Sequence, residues 1–118
     1  MKRDWELVRT ILAHMESRES TARVMEADEI EGFSQEVVSY HIKLLLEAGL
    51  LDASCSKALN GPLRCWATSL TWAGHEFLDQ IRSQTLWNKT KDLLKEKGIE
   101  LSFDAIKMAV KVVISAML

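Results

Sequence analysis

Ser34–Leu51, SQEVVSYHIKLLLEAGLL, is the stretch on which the reading of the whole chain turns. Val38, Ile42, Leu45 and Ala48 recur at spacings of four, three and three. That is one face of an α-helix, packed inward. Ser34 stands where a helix needs an N-cap, and Glu36 follows in the first turn, where negative charge suits the helix dipole. Gly49 supplies the left-handed residue that ends the helix, and Leu50–Leu51 lead into a strand. Gln35, Ser39, Tyr40 and Lys43 fall between the apolar positions, mostly on the opposite face.

Working outward toward the N-terminus, Asp4–Glu16 reads as a helix. Asp4 caps it, Leu7, Val8, Ile11, Leu12 and Met15 form its apolar stripe, and Trp5 widens that stripe. His14, near its end, reads as a solvated or core-edge histidine. Ser17–Thr21 is a polar loop, and Ala22–Met25 a short strand with Val24 as its buried residue. Glu26–Gly32 leaves room for two helical turns at most, so any helix there is short, distorted or absent. Gly32 makes the turn and Phe33 staples the next helix to the core.

Downstream, Leu50–Ser56 and Leu63–Leu70 read as two strands around Asn60–Gly61, the strongest short hairpin signal. Pro62 suits the loop margin. Cys55 and Cys65 fall close across this hairpin. They read as two small half-buried thiols, with a redox switch as the alternative; no Cys-x-x-Cys spacing suggests zinc. Thr71 caps a helix from Trp72 to about Gln84, with Phe77, Leu78 and Ile81 inward, helped by Trp72. Gly74 permits a close approach. His75 has no partnered Ser or Cys and reads as a structural or interface histidine. Thr85–Lys97 is amphipathic, with Leu86, Trp87, Thr90, Leu93 and Leu94 opposed to a lysine face, and Gly98 ends it. Ser102 caps a last helix, Phe103–Leu118, that is apolar nearly all round. Such a helix wants burial on most sides, either within the monomer or against a second copy through Phe103, Ile106, Val110, Val113, Ile114 and Met117.

The run Val38-Ser39-Tyr40-His41-Ile42, Leu45, Ala48-Gly49-Leu50-Leu51 resembles the recognition helix of winged helix-turn-helix regulators of the arsenic-repressor and multiple-antibiotic-resistance classes. It covers about a sixth of the chain. The resemblance implies a mainly α, α+β fold: a winged helix with a β-hairpin wing and extra C-terminal helices. Residues 1–82 would form the winged-helix core, and 83–118 a helical extension of the same domain for packing or dimerisation. More of the chain resembles one family of bacterial and phage proteins that carries a domain-of-unknown-function label. The resemblance rests on Met1-Lys2-Arg3-Asp4, Tyr40–Leu45 with Glu47–Leu50, the block Leu70-Thr71-Trp72-Ala73-Gly74-His75-Glu76-Phe77-Leu78-Asp79, and Trp87-Asn88-Lys89. It implies a regulator or a phage–host factor and transfers no activity.

Charge pulls the other way. The chain has net charge −2 over 118 residues. Met1–Trp66 holds 8 Lys/Arg against 11 Asp/Glu, a balance of −3, with four acids between Glu26 and Glu31. DNA affinity rests largely on cations meeting phosphates, so a local basic patch is required. Gln35, Ser39, Tyr40 and Lys43 are the candidates for base edges or phosphates. Lys57 and Arg64 on the wing, with Lys2 and Arg3 at the start, are the candidates for phosphate contacts. His41 reads as a brace for the helix. The partners expected are double-stranded DNA, bound by a homodimer, or alternatively a host protein docking on an acidic surface. The chain lacks a phosphate-cradling glycine loop, metal-ligand spacing and a nucleophile elbow, so no enzyme, metal or cofactor is expected. Glu29 and Glu31 read as a solvated face. No run approaches the ~18 apolar residues of a membrane span, and two cysteines without a framework point to a reducing cytoplasm.

Overall fold

The computed structural model describes residues Met1–Leu118. The chain divides into two compact units, Met1–His75 and Glu76–Leu118. The division falls inside a helix, seven residues before the boundary expected from sequence.

The first unit opens with α1 (Trp5–Ser17), capped by the Asp4 carboxylate, which accepts from the N–H groups of Glu6 and Leu7 at 3.0 and 3.2 Å. Such a cap stabilises a helix by about 1 kcal/mol. Leu7, Val8, Ile11, Leu12 and Met15 are buried, as the stripe requires. Strand β1 (Met25–Glu26) runs into a single 3-10 turn at Ala27–Glu29, and no longer helix forms in Glu26–Gly32. Met25, not Val24, is the buried strand residue. The pairing Met25↔Ala67 sets which side chains point inward, and a one-residue slip exchanges the two faces.

Helix α2 (Gln35–Glu47) has Ser34 as its cap, accepting from the Val37 N–H at 3.2 Å. Val38, Ile42 and Leu45 are buried, and Gly49 ends the helix at φ +79°. Phe33, expected to staple this helix, is 37% exposed. Strands β2 (Leu51–Lys57) and β3 (Leu63–Leu70) form the hairpin, whose turn holds Asn60 at φ 68°. The antiparallel sheet has the order β1-β3-β2, with a bulge beside Asp52 and Ala53. Helix α2 packs on both β2 and β3.

Helix α3 (Trp72–Ile81) begins at a junction held by Thr71. The Thr71 hydroxyl donates to the Gly49 carbonyl at 2.6 Å and accepts from the Gly74 N–H at 3.0 Å. Gly74 is obligatory: a Cβ there would lie 2.1 Å from the Leu50 carbonyl oxygen. Trp72 is exposed, contrary to the inward role expected of it.

In the second unit Phe77 meets Phe103 edge to face, with ring centroids 4.8 Å apart. Helix α4 (Gln84–Glu96), capped by Ser83, packs on α5 (Phe103–Met117), capped by Ser102. Trp87, Thr90 and Leu94 are buried on α4, and Ile106, Ala109, Val110 and Val113 on α5. No helix is long and apolar enough to cross a membrane.

Candidate nucleic-acid interface

Helix α2 buries one side and turns the other to solvent. Glu36, Tyr40, Lys43 and Glu47, at spacings of four, three and four, run along the side opposite Val38, Ile42 and Leu45. Spacings of three and four place residues in one row of a helix. The row therefore carries two carboxylates, a phenol and one ammonium group. Lys43 Nζ lies 3.3 Å from Glu47 Oε1, both side chains about half exposed. Glu36 and Glu47 were missed as members of this face, although the period that located Tyr40 and Lys43 also locates them. Gln35, the first helical residue, is exposed.

Ser39 does not belong to this face. It is 1% exposed, and its Oγ accepts from the Cys65 backbone N–H at 3.0 Å. Strand β1 explains why. It pairs with Trp66 and Ala67 and then leaves the sheet at Ala27. The next amide along that edge, Cys65, has no strand to meet. A buried N–H needs an acceptor, and the Ser39 hydroxyl provides it. A base contact by Ser39 is therefore corrected to a structural role: it fastens α2 to β3.

His41 braces α2, as expected. It is buried, its Nε2 accepts from the Asp4 N–H at 2.8 Å, and its Nδ1 donates to the Val37 carbonyl at 2.8 Å. These partners assign the Nδ1–H tautomer. The bond ties the start of α1 to α2. Lys2 and Arg3 immediately precede Asp4, so chain connectivity keeps them near α2. Both are exposed, and the Arg3 guanidinium lies 5.3 Å from the Trp5 ring centroid.

On the hairpin, Lys57 is exposed at the end of β2, and the loop beyond it presents Leu59 to solvent. Arg64 is exposed but reaches back to Glu26, Nη2 to Oε2 3.4 Å. Two of the cations assigned to phosphates thus already face carboxylates.

Cys55 and Cys65 are not separate thiols. They are cross-strand partners joined by a disulfide, with Cα atoms 4.1 Å apart. The Cys65 N–H turns toward Ser39 and away from β2, which marks a non-hydrogen-bonded pair, the closest-approaching kind in an antiparallel ladder.

Behind the sheet, Glu29 joins α1 to the turn after β1. Its carboxylate meets His14 Nε2 at 3.3 Å and Arg18 Nη1 at 3.2 Å, and accepts from the Glu26 N–H at 2.7 Å. Burial pushes this carboxyl up. The Glu26 N–H, His14 and Arg18 outweigh burial together, and hold it below the usual glutamate value. Glu29 is therefore a structural node, not part of a solvated face. A polar groove of about 490 Å³ beside it is lined by Met15, Arg18, Thr68, Ser69 and His75 among others. His75 is exposed at this groove.

The expected dimer residues divide. Ile106, Val110 and Val113 are 0%, 1% and 8% exposed, and Phe103 is half-buried against Phe77. These side chains fill their own unit and are corrected to core. Ile114 and Met117 remain exposed, joined by Met108, Val112 and Leu118.

A family model described as "Hypothetical protein (DUF2513)" matches residues 2–100. The chain belongs to this family. A protein of Haemophilus influenzae, described as "Uncharacterized protein", is 46% identical over 118 residues, covering 100% of this chain and 99% of that one. No solved structure matches. The DUF2513 match takes in α2, the hairpin, both cysteines and the N-terminal cations, and stops before α5.

Proposed function

We propose that this DUF2513 member is a winged-helix, DNA-binding transcriptional regulator of the phage or prophage type that its sequence resembles. The observation that carries the reading is the setting of α2. It is buried along one side only, it leads through Gly49 straight into a hairpin, and its buried His41 ties down the chain just after Lys2 and Arg3. In this reading α2 enters the major groove, with Gln35, Tyr40 and Lys43 toward base edges. Lys57, Arg64, Lys2 and Arg3 hold phosphates. The Lys43–Glu47 and Arg64–Glu26 pairs are exposed, and pairs of that kind contribute only about 0–1 kcal/mol. Phosphates can displace their carboxylates. A twofold dimer through the exposed Ile114 and Met117 would set two copies of α2 on a palindromic site.

The test is fluorescence anisotropy with genomic fragments over a salt series, comparing the native protein with Lys43→Glu/Arg64→Glu. Binding that weakens steeply with salt, and is lost in the variant while its circular dichroism is unchanged, is the expected result. Absence of any complex at low salt sinks the reading.

One observation favours a second reading. The outward row of α2 carries two carboxylates and one lysine, on a unit with three more acids than bases between Met1 and Trp66. Such a face suits a basic protein surface, for example the nucleic-acid channel of a host enzyme that it would block. A stoichiometric protein partner from bacterial lysate, lost on Glu36→Lys/Glu47→Lys, would favour it over DNA.

A further inference from the structure

The two bonded cysteines differ sharply in exposure. Cys65 is 0% exposed, closed in beneath α2, whereas Cys55 is exposed on the edge strand β2. The outer half of β2 has no core to hold it. Ser54, Cys55, Ser56 and Lys57 are all exposed, and only Leu51 of this strand is buried. Beyond Ala53, ladder hydrogen bonds and the disulfide are what fasten this arm to β3. Disulfides exchange by attack of a thiolate on one sulfur, and the accessible sulfur is the one attacked.

We propose that Cys55 is a thiol-exchange site for low-molecular-weight thiols. The thiolate attacks Cys55 Sγ, and a new S–S bond forms there. The bond to Cys65 breaks, its electron pair leaves on the Cys65 sulfur, and that sulfur takes a proton from water. The product carries a mixed disulfide on Cys55 and a thiol on Cys65. A second thiol that attacks the mixed disulfide at its outer sulfur releases Cys55 as a thiol. Overall, two thiols are oxidised to one disulfide and the protein's disulfide is reduced to two thiols. Opening frees the outer arm of β2 while Cys65 stays anchored through its N–H to Ser39. The site therefore changes the hairpin locally and leaves the core intact. It does not depend on whether the hairpin touches DNA.

Lys57 and Arg64 make the test clean, because trypsin separates the two cysteines at these residues. The intact oxidised protein is incubated with reduced glutathione, quenched in acid and mapped by mass spectrometry. The expected product carries one glutathionyl group on the peptide containing Cys55, with Cys65 recovered as a free thiol. Glutathionyl groups on the Cys65 peptide in comparable amount, or no opening at all, would overturn the proposal. A second measurement uses oxidised glutathione on the single-cysteine variants. Cys65→Ser, which keeps Cys55, should react at least about tenfold faster than Cys55→Ser, since reactivity follows exposure of the sulfur. Equal rates would also overturn it.

Discussion

Replacing Ser39 by alanine separates the two roles this residue can have. Its polarity sets it, in the sequence, among the candidates to meet DNA; the structure buries it under β3 as the acceptor for the Cys65 N–H at 3.0 Å. Removing the hydroxyl strands that amide away from water. A buried donor left unsatisfied costs about 1–3 kcal/mol. Alanine returns up to about 0.5 kcal/mol through its better helix propensity. The net loss spans about 0.5–3 kcal/mol and centres near about 1.5 kcal/mol. For a unit of this size each kcal/mol moves the melting temperature by about 4–8 °C, so the midpoint should fall by roughly 5–15 °C. Thermal melts followed by far-ultraviolet circular dichroism measure it. Lys43→Ala, on the outward row, is the control and should stay within about 0.5 kcal/mol of the native protein. Hydrogen exchange adds a local readout: the Cys65 amide should lose protection in Ser39→Ala and keep it in Lys43→Ala. A Ser39→Ala protein that melts with the native one, keeps the Cys65 amide protected and yet loses DNA would refute the structural role.

Three further outcomes follow from other parts of the molecule. Gly74→Ala should lower the urea midpoint by an amount equivalent to about 3 kcal/mol, the upper range for overpacking, because its Cβ would press on the Leu50 carbonyl. Helix propensity alone predicts a gain of about 1 kcal/mol, so the sign of the change decides. Glu29 titrates below the usual glutamate value when folded, so its contribution is present above the unfolded value of about 4.3 and fades as pH falls through the folded one. Glu29→Gln should therefore melt below the native protein at pH 7, and the gap should close under acid; a gap that widens there is the wrong sign. Glu36→Gln/Glu47→Gln, which removes two negative charges from the outward row, should tighten DNA roughly fivefold at low salt, the scale of about 1 kcal/mol for a charge 4 Å away in water. Unchanged or weaker binding in anisotropy would place that row away from phosphates.

What the sequence determined by itself was whatever rests on near neighbours in the chain. The caps at Asp4, Ser34, Ser83 and Ser102 all form. Of these, Asp4, Ser34 and Ser102 were read in advance, because a capping side chain bonds an amide two or three residues on. The inward stripes of α1 and α2 follow from the 3.6-residue period, and the hairpin from Asn60–Gly61. Gly74 was read as a close-approach glycine, without its neighbour. That Glu26–Gly32 holds no full helix followed from its shortness; that the remnant is a 3-10 turn did not.

Tertiary structure decided everything that depends on a distant segment. Ser39 is polar at a position that periodicity leaves ambiguous, and it turns inward only because β1 stops one residue short of covering Cys65, 26 positions away. Glu29 becomes a structural node, partly shielded from solvent, because Arg18 and His14 come back to it from α1. Cys55 and Cys65 bond because the hairpin register sets them directly opposite, and an even spacing in sequence does not specify that register. The last helix is apolar nearly all round, so its neighbours, chiefly α4, select Ile106, Val110 and Val113 for the interior and leave Met108, Val112 and Met117 outside. Periodicity identifies a face; which face meets a partner is set by what the rest of the chain lays against it.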